Sequence, residues 1–246
     1  MIESVRRMAA VFAVMAAATA HSTLSARAQS CPAPLANAKR LVLVTAATMN
    51  DTAATMRLYE RASARESWRA LGAAEPALIG RTGMGWSPFF VRLARRGEPI
   101  KVEGDKRAPA GIYSIGRSFG TLSSSRPNHL HVTPDTICVN DPSSPAYNTI
   151  ASRARLGPAV RAENMSRALP MYRRGLLLDY PTDARKKAGS CIFIHVWRSP
   201  TTGTAGCVAV PEPRVQALQD FAADGAVMAI LPRGALDRLR GCVPQN

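Results

Sequence analysis

The sequence predicts a mainly β fold with a few helices, built as a sheet or sandwich. Three observations carry this expectation. Short apolar runs rich in β-formers crowd the first half of the chain, punctuated by Gly and Pro. The stretch Cys191-Ile-Phe-Ile-His195-Val-Trp197-Arg198, continued through Gly206-Cys207-Val-Ala-Val210, reads as strand, turn-rich loop, strand. An amphipathic helix follows, opened by Pro211 and closed by Gly225.

Taken in order, Arg6-Arg7 precede a short apolar core from Met8 to Ala20, and Ala26-Arg-Ala28 fits a small-x-small cleavage pattern. Residues 1–28 are therefore expected to be a secretory signal peptide and are left out of the fold. Residues 29–40, with Pro32 and Pro34, read as a linker. Residues 41–46 and 52–60 read as strands, with Asp51 at the turn between them, and 66–71 alternates as a third. Residues 78–80 and 89–94 are shorter strand candidates around the Gly83-Met-Gly85 turn. A tight polar loop, Glu103-Gly-Asp105-Lys-Arg-Ala-Pro109-Ala-Gly111, leads into a strand at 112–115.

Residues 117–170 form a long irregular insertion holding His129, His131, Asp135, Asn140, Asp141 and Tyr147. His129 and His131 have the period-two spacing that puts both on one face of a strand. Within the insertion, 159–169 reads as a helix. A strand at 175–180 leads into the His/Cys stretch, the helix over 211–224 presents Val215, Leu218, Phe221 and Ala222 inward, and 226–231 is the last strand. The domain is thus expected over 41–232, with 233–246 as a C-terminal tail.

The net charge is +15, and removing residues 1–28 (Arg6, Arg7 and Arg27 against Glu3) lowers it by two, to +13. Such a charge attracts polyanions. The basic residues are scattered, and no nucleic-acid-binding motif organises them, so nucleic acid is not the expected partner. No apolar run after the N-terminus is long enough to span a bilayer, so no membrane anchor is expected once the signal is removed.

Five cysteines follow the cleavage site: Cys31, Cys138, Cys191, Cys207 and Cys242. In an oxidising compartment an odd count leaves one thiol over. With Cys207 as the free one, Cys138 can pair with Cys191 and Cys31 with Cys242, although the sequence permits other pairings.

A turn between the two strands brings His195 near Cys207, and an imidazole beside a thiol makes a nucleophile. A buried core His and a small core Cys would look the same in isolation. Amides around Gly206 and Cys207 are candidate oxyanion donors. Asp179 and a backbone carbonyl are the alternatives for the group that orients the imidazole. The competing chemistry is a zinc site built on His129-x-His131 with Asp135 or His195. An HxH pair alone occurs often and no HExxH is present, so no metal and no cofactor are expected.

His195 followed by Thr204-Ala-Gly206-Cys207 resembles the His…[Ser/Thr]-x-Gly-Cys motif of the L,D-transpeptidase (YkuD-type) catalytic domain. Gly104-Asp105 with Pro109-Ala-Gly111-Ile-Tyr113 is similar to that family's strand entry, with Ala108 in place of a Thr. The resemblance covers about residues 40–232 and implies a β-sandwich domain in the periplasm or cell envelope. It implies peptidoglycan stem peptides, and the sacculus they belong to, as partner. The implied chemistry is thiolate attack by Cys207 on the amide carbonyl after a meso-diaminopimelate residue. His195 protonates the leaving amine, and an amine or water resolves the thioester. On this reading Cys207, His195 and Gly206 are catalytic, while Arg198, Trp197, Thr204, His129, His131 and Tyr147 face the substrate. Two departures point to a divergent branch. Val208-Ala-Val210 stands where a polar Arg or Asn is usual, and Ala205 where a His often precedes the Gly. The alternatives are a thiol amidase, endopeptidase or carboxypeptidase that uses water, and a non-catalytic wall-binding module.

Overall fold

The apolar run Leu41-Val-Leu-Val-Thr-Ala forms β1 (Arg40–Ala46) in the computed structural model, which describes residues 31–168 and 170–245. The expected signal peptide lies outside the described residues. β1 is buried along nearly its whole length, as is β13 (Val227–Pro232), its parallel neighbour. Strands covered on both faces need continuous rather than alternating apolar sequence, and these two have it. The other strands are β2 (Ala53–Glu60), β3 (Arg69–Leu78), β4 (Met84–Trp86), β5 (Ala108–Gly120), β6 (Leu130–His131), β7 (Thr136–Val139), β8 (Ile150–Ser152), β9 (Ala162–Asn164), β10 (Gly175–Leu178), β11 (Phe193–Val196) and β12 (Val208–Val210). Among the described residues, three α-helical segments join them: α1 (Ala33–Ala36), α2 (Arg153–Leu156) and α3 (Glu212–Phe221).

The main sheet runs β10-β11-β12-β3-β2-β1-β13-β5-β4. β5 pairs with β13 along Gly111 to Ser114 and with β10 along Ile115 to Phe119, so the ladder returns on itself. The fold is mainly β, as expected. α3 lays Val215 and Leu218 into the main core, its N-terminus fixed by Pro211. The insertion contributes a separate three-stranded sheet, β8-β7-β9. A second apolar cluster joins that sheet to the main one: Val132, Cys138 and Met165 pack with Phe119, Tyr172, Phe193 and Cys207.

Two local expectations are corrected. Residues 89–94 are not a strand but carry a 3-10 turn, Val91–Leu93. Phe90 and Leu93 are buried while Phe89 and Val91 are exposed, a spacing of three, and Phe90 and Leu93 each donate a backbone bond three residues back. Residues 159–168 of the expected helix carry no α-helix: Ala162–Asn164 is β9, paired with β7. Asn164 then caps a 3-10 turn, its Oδ1 accepting from the amides of Ser166 and Arg167. Edge pairing with β7 overrides the helical composition of this segment.

Both ends of the domain are built in rather than loose. In the segment read as a linker, Leu35 of α1 is fully buried. In the expected tail, Ala235, Leu236, Leu239, Cys242 and Val243 enter the main core. The Cys31–Cys242 disulfide joins the two ends, and Arg238 reaches Glu98 with two hydrogen bonds of 2.7 and 2.8 Å. The Glu98 carboxyl is pulled down to about 2, chiefly by Arg238.

This ion pair gives a pH-dependent prediction. A carboxyl whose folded pKa is depressed contributes stability above its ordinary value near 4.5 that is lost as pH falls toward about 2. Glu98→Gln should therefore lower the melting temperature at neutral pH, and the deficit should shrink as pH drops through that window. Thermal unfolding followed by circular dichroism at stepped pH measures it. A deficit that does not change with pH would assign the loss to packing alone.

Candidate active site

β11 alternates in the way its sequence demands. Ile194 and Val196 point into the main core, while Phe193 and His195 share the opposite face. β12 runs parallel beside it, with His195 level with Ala209. Cys207 stands just before β12 and falls opposite Phe193. The Phe193 amide donates to Cys207 Sγ, and Sγ–H donates to the Cys191 carbonyl, each at 3.4 Å. Cys191 is itself bonded to Cys138 of β7, which leaves Cys207 as the free cysteine. The strand–loop–strand expectation holds, with the two strands parallel rather than folded back as a hairpin.

The local sequence explains how the loop is shaped. The Thr204 hydroxyl accepts from the Gly206 amide at 3.0 Å and donates to the Cys207 carbonyl at 2.7 Å, closing a tight turn around the nucleophile position. The Thr204 amide donates to Ile79 O, and Arg81 donates back to Thr204 O, so the turn is anchored to the end of β3. Gly206 has φ +145°, and a Cβ there would lie 3.0 Å from the Arg107 carbonyl. A hydroxyl, then any residue, then Gly, then Cys is thus a geometric requirement. Since the Gly206 N–H is engaged by Thr204, it is not a free oxyanion donor.

Burial sets the protonation of the pair. Cys207 and His195 are 6% and 5% exposed. His195 Nδ1 lies 2.8 Å from the Val196 carbonyl and donates to it, which leaves Nε2 as the basic nitrogen. Of the two alternatives for an orienting group, a backbone carbonyl fills the role, while Asp179 lines a different cavity. Burial pushes the imidazole down to about 4 and the thiol up to about 12. The Glu163 carboxylate raises the thiol further, while the Phe193 amide and Lys101 act against that rise. At neutral pH the resting pair is therefore neutral imidazole and neutral thiol. The Tyr172 ring packs edge-on to the imidazole, 5.4 Å between centroids, and its hydroxyl donates to Glu163 at 2.9 Å.

His195, Thr204, Gly206, Cys207 and Arg198 line one cavity of about 370 Å³. Trp197 stands beside it, half-buried, its amide bonded to Val210 O. Tyr147 sits behind the wall: its hydroxyl donates to Glu103 and accepts from the Gly189 amide. His129 and His131 are elsewhere. β6 pairs with the far end of β5, His131 is exposed, and His129 Nδ1 bonds the Ser118 hydroxyl. Among the described residues no three His, Cys, Asp or Glu side chains are grouped to hold a metal ion.

Sequence reasoning missed Glu163, Tyr172, Lys101 and Asn140, all of which line the cavity. No motif marks them. The one available signal was the pairing of Cys138 with Cys191, which ties the insertion to the strand carrying His195.

The family model for the L,D-transpeptidase catalytic domain (YkuD) matches residues 46–230. No curated protein and no solved structure matches the chain. The matched family comprises cysteine-dependent transpeptidases and hydrolases of cell-wall metabolism. The match spans most of the chain and takes in both the Thr204-to-Cys207 turn and His195, so this protein belongs to the YkuD L,D-transpeptidase catalytic-domain family.

Proposed function

We propose that this chain is a peptidoglycan L,D-transpeptidase of the periplasm or cell envelope, working through an acyl-enzyme on Cys207. The observation that carries this is the free thiol of Cys207 sharing a cavity with an imidazole whose Nε2 is left basic by the Val196 carbonyl. His195 Nε2 takes the thiol proton as sulfur attacks the stem-peptide carbonyl and the C–S bond forms. The Cys207 amide, at the turn that Thr204 closes, is the candidate donor to the oxyanion. The C–N bond then breaks, and His195 returns the proton to the departing amine. The acceptor amine enters the emptied side, gives a proton to His195 and attacks the thioester, which frees the thiolate to be reprotonated.

Burial of the pair supports transfer to an amine over transfer to water. The reacting pair is almost wholly buried, and Met165, in the turn after β9, and Tyr172, just past the insertion, lie in the same apolar cluster as Cys207. A dry site protects a thioester from hydrolysis. The cations Arg81, Lys106 and Arg198 line the same cavity and suit the carboxylates of a stem peptide. The overall positive charge adds attraction to an anionic wall.

The reading is tested by weighing the mature protein after incubation with a carbapenem, whose lactam carbonyl traps thiol nucleophiles. A covalent adduct is expected, absent in Cys207→Ala and formed at least about 100-fold more slowly in His195→Gln. Defined muropeptides should then yield a new amide. A carboxylic acid product alone would make the enzyme a hydrolase, and intact wall binding with no adduct would leave only a binding module.

Alkylation of Cys207 by iodoacetamide follows its thiolate. Because the folded thiol is pushed up to about 12, the rate should still be climbing above about pH 9. A plateau reached below about pH 8 would mean a resting thiolate–imidazolium pair instead.

Thr204 separates shape from chemistry. Thr204→Ser keeps the hydroxyl and should retain most of kcat/KM. Thr204→Val leaves the Gly206 amide and Cys207 carbonyl unpartnered, at about 1–3 kcal/mol for each buried group. It should lower kcat/KM at least about tenfold, and equal activity of the two variants would remove Thr204 from the positioning role.

A further inference from the structure

Residues 87–99 leave the main sheet as one loop and return to it. β4 ends at Trp86, and the neck of the loop closes where Trp86 bridges Ile100. There the Trp86 amide donates to Pro99 O, and the Lys101 amide donates to Trp86 O. None of residues 87–99 lines the catalytic cavity.

The inside of this loop is packed and satisfied. Phe90 and Leu93 are buried, and Arg238 donates to the Leu93 carbonyl. Glu98, the only acid in the loop, is turned inward. It accepts from Trp86 Nε1, from the Arg95 amide and from Arg238. The outside is left without partners. Residues three apart share a face of a 3-10 turn, so burying Phe90 and Leu93 turns Phe89, Val91 and Arg92 outward. Arg95 and Arg96 follow at an exposed turn. Among the described residues no carboxylate pairs with Arg92, Arg95 or Arg96.

The exposed apolar side chains are concentrated here. Among the described residues, the large hydrophobic side chains that stand exposed are Phe89, Val91, Ile100 and Val102. The first two lie in the loop, and the others at its neck and just past it. Such side chains scattered singly need no partner, whereas a group of them marks an interaction surface. Phe89 also edges a cavity of about 660 Å³ lined by Ile150, Leu177, Pro181 and Ile192, so the apolar surface continues past the loop. An anionic wall polymer would neutralise the arginines and leave Phe89 and Val91 in water. A bilayer with anionic headgroups takes both. Its phosphates meet the guanidinium groups, and the apolar side chains enter the boundary between headgroups and acyl chains.

We propose that the loop at 87–99 docks this protein on the surface of a membrane rich in anionic phospholipid. The attachment is peripheral and reversible, since it uses a few side chains and no membrane span. It is independent of the acyl-transfer reading. Screening of the headgroup charge makes it weaken as salt rises.

The test is co-sedimentation of the mature protein with vesicles of phosphatidylglycerol and phosphatidylcholine in equal parts, against vesicles of phosphatidylcholine alone. Binding to the anionic vesicles should be at least about tenfold tighter. Arg92→Gln/Arg95→Gln/Arg96→Gln should lower that affinity at least about tenfold. Arg65→Gln/Arg155→Gln/Arg167→Gln removes the same charge from exposed sites elsewhere and should bind nearly as the unmodified protein does. Phe89→Ser/Val91→Ser should weaken binding at least about fivefold. Phe89→Trp, which keeps an apolar ring, should bind at least as tightly as the unmodified protein. Equal binding to the two kinds of vesicle overturns the docking loop. So does an equal loss in the two arginine variants, which would assign binding to net charge alone. Full binding by Phe89→Ser/Val91→Ser also overturns it, since a purely ionic patch would then suffice. Carbapenem acylation should be unchanged in every variant. A wild-type protein that forms no adduct overturns acyl transfer and leaves the vesicle result standing.

Discussion

The site depends on one covalent link, the disulfide between Cys138 of the insertion and Cys191 of the main sheet. Cys191 does three things at once. It holds β7 against the entry to β11, its carbonyl accepts the Cys207 thiol proton, and its amide is fixed by Asn148 Oδ1 at 2.9 Å. It does so at φ +57°, a conformation that a non-glycine residue rarely adopts and that the surrounding bonds must impose. The bridge adds to hydrogen bonds that also tie the insertion here, from the Cys191 amide to Asn148 and from the Tyr172 hydroxyl to Glu163, and to the apolar contacts of the second cluster. The insertion is therefore part of the active-site wall, and the fold's second apolar cluster exists because the bridge brings its two halves together.

That wall creates an electrostatic conflict that the chemistry has to resolve. Burial separates the ordinary pKa values of thiol and imidazole in the wrong direction for a resting ion pair, so neither group is charged before substrate arrives. Lys101 is the nearest relief, but its ammonium is already engaged by Asp105 at 2.6 Å and by the Val102 carbonyl. The consequence is a neutral, weakly reactive thiol in the empty site. In the proposed reaction, activation comes with the substrate, through proton transfer from Cys207 to His195.

Much of this was legible in the sequence, and the reasons are physical. β1, β2, β11, β12 and β13 were readable because each buries a continuous or alternating apolar run whose period is fixed by the strand. The Thr204-to-Cys207 turn was readable because its bonds are local and demand particular residue types. The odd cysteine was readable from the count alone. The segment holding Glu163 was not, since 159–169 has the composition of a short helix and becomes a strand only because β7 offers a paired edge. Glu163 and Tyr172 reach the site through tertiary pairing at a sequence distance of 44 and 35 residues from Cys207, and no local pattern encodes that. His129 and His131 misled for the opposite reason. Their period-two spacing is a local pattern only: His131 is exposed on β6, which pairs with the end of β5, and His129 lies just before that strand.

The missing polar residue after the nucleophile has the same kind of explanation. Val208 and Val210 point into the main core between β11 and β3, where a charge would be buried without a partner. Ala209 faces the catalytic cavity instead, level with His195, and its methyl leaves the floor open. The positive charge that a polar residue at this point would bring is present all the same, but it comes from Arg81, Lys106 and Arg198 on three separate loops. Around Cys207 the charge is mixed: Glu163 of the covering sheet raises the thiol while Lys101 acts against that rise, so the covering sheet shapes the site together with the strand after the cysteine.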